Sequence, residues 1–442
     1  MASAPENKRG RSRKGCRHMI PPPAWGAVDW TELLPSRADD GEETEIRFVL
    51  WTLHRRFLDW AEARDIQKDP ISGEREPCEY RRASAPVQRL DAVLPEAAAC
   101  LNGASDRYAL LRSALQISTW AEASGYLLIA LRFAEAAAAC DPFDPAPANL
   151  AGRLSRTLGI APLADLWYSR GIALARSRKW SACYVRGHLG FGTLQKEIGN
   201  TSAAVEHYQR AAWRAQRCGI KWLAGEVHHD MLLLALSMRA FADAETYAER
   251  ALNVYPKHHD RIPALAHDFG LLCTREHAFR IAFPLLRRVL GLISRPHEKM
   301  IVWSTLALSA AGADENASYA EGRAAVLDMA PAFPMGAPPA LMNLAFAAHL
   351  RCEWPEASQC ARKALEMIGG NPLFKEQARD ASILLEQVAQ RIPATRPREL
   401  PDGSEVNLRM LYESLSRLLS NWHGRTWRMR KAQAQPGAFG SA

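Results

Sequence analysis

From about residue 105 to residue 370 the chain repeats a pair of amphipathic segments, and this repetition constrains the fold more than any other feature. Apolar residues recur at spacings of three and four, the period of one helix face, and short polar or proline-containing breaks separate the segments. One column of the aligned second segments is all alanine, at Ala130, Ala164, Ala204, Ala244, Ala282, Ala317 and Ala357. The units then begin near residues 111, 145, 185, 225, 263, 298 and 338.

Two further columns test this register. Twelve positions before the alanine, the residue is small in six of seven units: Ser118, Gly152, Gly192, Leu232, Gly270, Thr305 and Ala345. Seven positions after it stand Ala137, Gly171, Ala211, Ala251, Val289, Ala324 and Ala364. Two helices approach closely only where bulk is absent, while large side chains fill the neighbouring holes. The columns therefore predict stacked helical hairpins.

These columns resemble the tetratricopeptide repeat (TPR) family, whose unit is a 34-residue helix-turn-helix. The best copy, residues 185–218, has Gly192, Gly199, Ala204, Tyr208 and Ala211 on the motif positions. Pro284, inside the second helix of the fifth unit, departs from the pattern, and the sixth unit is the weakest copy. The resemblance implies an all-α, right-handed superhelix, or α-solenoid, of about seven TPR-like hairpins.

The array is flanked by segments of different composition. Residues 1–41 are predicted to be a flexible basic arm, and residues 42–104 a helical extension followed by a linker. The TPR-like array takes residues 105–373. We expect residues 374–420 to form capping helices, because the last unit otherwise exposes its apolar stacking face. Residues 421–442 form a basic tail.

Positive charge is concentrated at the two ends of the sequence. The whole chain has a net charge of +8, while residues 1–19 and residues 417–442 each carry +5. The body between them is left with about −2. This argues against a protein that is basic throughout and binds nucleic acid with its whole surface, although either tail can contact phosphate.

Composition and motifs point away from secretion, metal binding and catalysis. No secretory leader pattern and no run of 18 apolar residues appears, so we expect a cytoplasmic protein. The nine cysteines are scattered and never in CxxC spacing, which favours reduced thiols and no metal. The glycine-rich stretch 187–192 and the Asp268-Phe269-Gly270 triplet lack the context of a phosphate loop or a kinase. We therefore predict no enzymatic activity and no cofactor.

The resemblance also implies a concave groove lined by the first helix of each hairpin. Six candidate groove residues come from the first three units: Arg112, Asn149, Arg153, Arg156, Arg186 and Lys196. Five come from the last four units: Leu233, Leu236, Leu271, Leu306 and Phe346. A groove that is basic at one end and apolar at the other suits a peptide with an acidic segment and hydrophobic anchors. In the alternative, the arginines only solvate the helices and the leucines pack internally.

One known TPR specificity is not reproduced. In the carboxylate-clamp TPR domains that bind chaperone tails, a lysine is expected where Asn149 stands and an asparagine where Arg153 stands. The sequence therefore argues against the binding of chaperone tails.

Two histidines, His229 and His267, occupy equivalent groove positions in consecutive units, each followed by an aspartate, Asp230 or Asp268. One interpretation is a polar ligand contact or a hydrogen bond between repeats. The other is a metal site or a pH-sensitive site. Spacing fixes no third or fourth ligand, so the first interpretation is favoured.

The basic tail mixes cations with tryptophans: Trp422, Arg425, Trp427, Arg428, Arg430 and Lys431. Such mixing suits stacking on unpaired bases or docking on an anionic membrane. Alternatively, the tail only aids solubility, or its tryptophans fold back on the cap.

We therefore expect a non-catalytic scaffold or adaptor that binds a partner protein or peptide in its concave groove. The alternative is a peptide-responsive TPR-type regulator whose basic tails contact nucleic acid. The sequence names neither the partner nor the oligomeric state.

Overall fold

A computed structural model describes His54 and residues 107–124, 126–293, 295–394 and 404–420. The described residues form sixteen α-helices, two short 3₁₀ segments and no strand. The helices are α1 (Arg107–Ala123), α2 (Leu127–Cys140), α3 (Pro145–Thr157), α4 (Ala161–Arg178), α5 (Ser181–Glu197), α6 (Thr201–Arg217), α7 (Lys221–Ser237), α8 (Phe241–Val254), α9 (Ile262–Arg275), α10 (Phe279–Leu290), α11 (Pro296–Gly312), α12 (Asn316–Met329), α13 (Ala337–Leu350), α14 (Trp354–Ile368), α15 (Lys375–Ala389) and α16 (Ser404–Ser420). The 3₁₀ segments are Ala330–Ala332 and Pro372–Phe374.

Helices α1 to α14 pair into seven hairpins, numbered 1 to 7 along the chain. The turn inside each hairpin is short, so its two helices run antiparallel. From α3 onward, the first helix of each hairpin also contacts the first helix of the next, which builds a solenoid. The predicted all-α class and seven TPR-like hairpins are therefore confirmed. None of the described helices is both long and apolar enough to cross a membrane.

Glycines in the first helices let the paired helix approach, as the small-residue column predicted for Gly152, Gly192 and Gly270. Gly225, which lies outside that column, acts in the same way. At these four glycines, a Cβ would lie only 2.7–2.8 Å from a side chain of the second helix or of the residue that follows it. The pairs are Gly152 with Tyr168, Gly192 with Tyr208, Gly225 with Tyr255 and Gly270 with Leu286. Each large partner is buried, so it fills the space that the glycine leaves open.

The turn inside the hairpin is the same in six of the seven hairpins. The second residue after each first helix has a positive φ, between 58° and 81°. These residues are Gly159, Gly199, Arg239, His277, Asp314 and Cys352. In hairpin 2, the Ile160 N–H then donates to the Ser155 carbonyl at 2.9 Å, which satisfies a carbonyl at the helix end. Four of the six residues are not glycine, so the positions of glycine in the sequence do not predict this turn.

The far end of the array returns to its beginning. Leu373, in the segment between α14 and α15, packs with Ala164, Tyr168 and Leu194 of hairpins 2 and 3. A Cβ on Gly159 would lie 2.7 Å from the Asn371 side-chain amide. We call this junction the closing contact. It shows that the array curves until the segment that follows hairpin 7 meets hairpins 2 and 3.

Only one of the two helices in the predicted capping segment covers the last hairpin. Helix α15 follows α14 and buries Ala381, Leu384 and Val388 in the core of hairpins 6 and 7. Helix α16 instead packs on α8, α9 and α10. It is therefore not a cap, which corrects the expectation for residues 404–420. The apolar face of α16 packs instead into the hydrophobic core formed by hairpins 4 and 5.

The α16 stripe consists of four leucines one helical turn apart: Leu408, Leu411, Leu415 and Leu419. They are buried in the same cluster as Leu285 and Val289 of α10. The Arg288 guanidinium donates to the Ser420 hydroxyl at 2.8 Å. Helix α16 is thus anchored to hairpins 4 and 5.

We predict that Gly192→Ala destabilises the protein, although alanine is the better helix former. The added Cβ meets the ring of the fully buried Tyr208, whose hydroxyl is hydrogen-bonded to Thr193 at 3.1 Å. Overpacking of this kind costs about 1–3 kcal/mol, measurable as a lower urea midpoint. Gly291→Ala is the control, because its Cβ would meet only the Arg288 carbonyl at 3.6 Å. An unchanged midpoint for Gly192→Ala contradicts the prediction.

We also predict that Leu415→Ala loosens α16 selectively. Leu415 is 1% exposed, and truncating a buried leucine costs about 2–5 kcal/mol. Amide hydrogen exchange should therefore accelerate in α16 and in the facing part of α10, while hairpins 1 to 3 stay protected. Met410→Ala is the control on the same helix, since Met410 is 63% exposed. Equal acceleration in both variants would show that α16 is not anchored by its leucine stripe.

Candidate functional site

The arginines predicted at the basic end of the groove are paired within the protein. The Arg153 guanidinium donates to both carboxylate oxygens of Glu122, at 2.5 and 2.7 Å. Arg156 pairs with Glu197. Burial opposes the charge of Arg156, but the Glu197 carboxylate raises its pKa. These two cations are neutralised between hairpins, so the expectation of an open basic groove for an acidic segment is corrected.

The other candidates from the first three units differ in burial and in contacts. Asn149 is buried, and its side-chain amide donates to the Cys183 carbonyl at 2.9 Å, which joins hairpins 2 and 3. The exposed Arg186 lies over the Trp222 ring at 5.0 Å. Arg112 is exposed on α1 and Lys196 is half-buried on α5. Asn149 therefore makes a structural contact between repeats.

A cavity of about 540 Å³ opens on the first helices of hairpins 4 to 7 and on α15. Five of the predicted residues line it: Leu233, Leu236, His267, Leu271 and Phe346. Leu306 does not, because it is 2% exposed and packs in the core. The structure thus brings together the apolar part of the predicted groove and separates it from the basic part.

Charged residues on the cavity wall were missed by the sequence reasoning. Helix α15 contributes Glu376, Arg379 and Asp380, and Arg275 of α9 lies over the Phe346 ring at 5.3 Å. Glu376 and Asp380 are four residues apart, and so lie on one helix face. That spacing was the only signal in the sequence, since nothing local shows that a cap helix faces the groove.

The two groove histidines share one carboxylate. The Asp268 oxygens lie 2.7 Å from His229 Nε2 and 2.8 Å from His267 Nδ1. An ionised carboxylate only accepts hydrogen bonds, so both rings donate to Asp268. Burial alone would raise the pKa of Asp268, but the hydrogen bonds from His229 and His267 hold it well below its usual range.

The remaining ring nitrogens also have partners. His229 Nδ1 lies 3.3 Å from the Tyr255 hydroxyl, and His267 Nε2 lies 3.1 Å from Thr305 Oγ1. Within the described part of the chain, no three His, Cys, Asp or Glu side chains form a group that could hold a metal. The histidines make the inter-repeat hydrogen bonds of the first interpretation. His267 and Thr305 connect this network to the cavity wall.

The other motifs noted in the sequence lie in helices, are free cysteines or fall outside the described residues. The glycine-rich stretch 187–192 lies inside α5, and the Asp268-Phe269-Gly270 triplet lies inside α9, so neither forms a loop. The described cysteines are free thiols. The six tail candidates, Trp422, Arg425, Trp427, Arg428, Arg430 and Lys431, lie outside the described residues.

The stacked hairpins with their small-residue columns define a TPR-like helical-repeat protein. No protein family and no curated protein sequence matches the chain. Among solved structures, it is similar to the Rap conjugation gene regulator of plasmid pLS20 in complex with the Phr* peptide, at 12% identity and a TM-score of 0.38, over 80% of this chain and 99% of that chain.

It is also similar to a signal transduction ATPase with numerous domains, a protein with a tetratricopeptide repeat sensor from Pyrococcus horikoshii. The identity is 12% and the TM-score 0.38, over 83% of this chain and 58% of that chain. At such identities and scores, the function of this chain rests on its own residues.

We predict that Asp268→Asn destabilises the protein by about 1.5–3 kcal/mol at pH 7, the usual range for a hydrogen bond to a charged group. Asparagine keeps the shape but offers one acceptor oxygen to two donors. The pKa of Asp268 is lower in the folded protein than in the unfolded chain, where it is about 3.9. The ionised carboxylate therefore contributes its full stabilisation above about pH 4, and this contribution is lost as the pH falls from there through the folded pKa. The difference from wild type should therefore narrow below about pH 4.

Urea unfolding at pH 7 and at pH 3.5 measures both effects. Asp328→Asn is the matched control, since Asp328 is exposed on α12 and should change stability by less than about 0.5 kcal/mol. Equal stability of Asp268→Asn and Asp328→Asn at pH 7 would contradict the role of Asp268.

Proposed function

We propose that the protein is a non-catalytic scaffold that binds a peptide segment of a partner protein in the cavity of hairpins 4 to 7. The observation that supports this most is the meeting of four first helices and the cap helix around one cavity of about 540 Å³. Ligand pockets in proteins commonly measure about 300–1,000 Å³. This volume suits a few side chains of a short segment.

The wall chemistry favours an amphipathic peptide. One part of the wall is apolar, with Leu233, Leu236 and Leu271 half-buried and available for contact. Another part carries the charged groups of α15. Apolar side chains of the peptide would supply the binding energy as anchors. The charges of Glu376 and Asp380 would select its polar groups and fix its direction.

The same observations limit the length of the bound segment. Arg153 and Arg156 already have carboxylate partners in the protein, so an acidic peptide would have to break these ion pairs to bind them. The closing contact also joins the segment after hairpin 7 to hairpins 2 and 3. The proposed segment therefore binds at the apolar end alone, and not along the whole array.

One observation favours the regulator as the second candidate function. Leu373 of the closing contact lies only three residues before Glu376 of the cavity wall. A ligand that presses on α15 would bear on the closing contact, so peptide binding and the curvature of the array would be coupled. Contact of the basic tails with nucleic acid remains a prediction.

We predict that peptides selected on the full-length protein from a phage-displayed random heptapeptide library carry clustered apolar residues, and that they require Leu271. Leu271→Asp places a charge on the apolar wall and should weaken the selected peptides at least about tenfold, because hot-spot anchors contribute about 2 kcal/mol or more. Binding of labelled synthetic peptides is measured by fluorescence anisotropy.

Ile383→Asp is the matched control, because Ile383 is 46% exposed on α15 and does not line the cavity. Circular dichroism of both variants verifies that the helices remain. If the selected peptides bind Leu271→Asp as tightly as Ile383→Asp, the cavity is not the binding site.

A further inference from the structure

A strongly basic edge lies where hairpins 2, 3 and 4 join one another. Residues 161–222 hold ten lysines and arginines against three acidic residues, a net charge of +7. Seven of these cations lie at or near the junctions of second helices with the next first helices, and we call them the arginine edge. They are Arg176, Arg178, Lys179, Arg186, Arg214, Arg217 and Lys221.

The cations of the arginine edge differ from those inside the groove. Within the described residues, none of the seven forms an ion pair with a carboxylate, whereas Arg153 and Arg156 both do. Six of the seven are exposed, and Arg214 is half-buried. The carboxylates of Asp144 and Glu226 lie close enough to Arg178 and Arg186 for their charges to interact. They reduce the local positive charge without forming an ion pair, and the excess that remains attracts a polyanion.

Aromatic rings alternate with these cations. Four arginines of the edge each lie over a ring, at 5.0–5.8 Å from its centroid. The pairs are Arg178 with Phe143 and Trp180, Arg186 with Trp222, Arg214 with Tyr184, and Arg217 with Trp213. Trp213 is 56% exposed and Phe143 is 39% exposed. The stacking holds planar guanidinium groups against large rings. Trp180, Tyr184 and Trp222 are half-buried, so Trp213 and Phe143 are the rings of this set that stay exposed.

We propose that the arginine edge binds single-stranded nucleic acid. Its cations would contact the phosphates, while unpaired bases would stack on Trp213, on Phe143 and on the outer faces of the guanidinium groups. A duplex offers the same phosphates but hides its base faces, so the alternation of cations with rings favours a single strand. None of the seven cations lines the cavity, and none belongs to the two basic tails of the sequence.

The test uses the full-length protein and a fluorescein-labelled 20-nucleotide oligouridine, with binding measured by anisotropy between 50 and 200 mM salt. The triple variant Arg178→Gln, Arg186→Gln, Arg217→Gln should bind at least about tenfold more weakly than wild type. Each lost phosphate contact lowers the salt slope by about 0.7 for single strands. The slope should therefore fall by about 2.

A second triple variant, Arg280→Gln, Arg287→Gln, Arg362→Gln, has the same net charge and is the matched control. These residues are exposed on α10 and α14, away from the edge, and both tails are kept in every protein. Its affinity should stay within about twofold of wild type. Trp213→Ala should lower affinity about 5- to 100-fold with an unchanged salt slope, because stacking releases no counterions.

Three outcomes would overturn the proposal. Equal weakening by the two triple variants would assign binding to overall charge or to the tails. A 20-base-pair duplex bound as tightly as the single strand, with no effect of Trp213→Ala, would show a site for phosphate alone. No oligonucleotide binding, but binding to vesicles with 30% phosphatidylserine, would make the edge a membrane surface.

Discussion

The close approach of two helices at a glycine is the contact on which the rest of this architecture depends. Gly152 and Gly192 leave just enough room for the rings of Tyr168 and Tyr208. Tyr168 belongs to the same cluster as Leu373 of the closing contact. The contact that sets the spacing inside hairpin 2 therefore also shapes the surface on which the far end of the array rests.

Much of the fold could be predicted because it follows from regular spacings of apolar and small residues in the sequence. Helix faces follow a spacing of three and four, and hairpins follow small residues that recur every 34 to 40 positions. Even the weak sixth unit forms its hairpin. There the Tyr319 hydroxyl donates to Glu353 at 2.7 Å and Arg351 lies over the Tyr319 ring at 4.8 Å, contacts made with the next hairpin. Comparing each unit separately with the repeat motif does not reveal stabilising contacts between neighbouring hairpins.

The candidate site was predictable only in part, because it depends on the curvature that accumulates over many hairpins. The apolar residues Leu233, Leu271 and Phe346 were found from register alone and do line one cavity. The partner of Arg153 is Glu122, 31 residues away on another hairpin, and register does not reveal it. The same holds for α15 and α16, since an amphipathic stripe predicts that a helix packs but does not identify the surface that receives it.

The net charge of a long segment does not predict the charge of a particular surface on the folded protein. The body of the chain has a net charge of about −2, and this near-neutrality argues against a protein that is basic throughout and binds nucleic acid with its whole surface. Yet residues 161–222 carry +7, so the remainder of the body carries about −9. Charges separated by several hairpins are screened from one another beyond about 8–10 Å at physiological salt. A polyanion at the arginine edge therefore responds to the local excess of positive charge, and a neutral average is compatible with two oppositely charged surfaces on one solenoid.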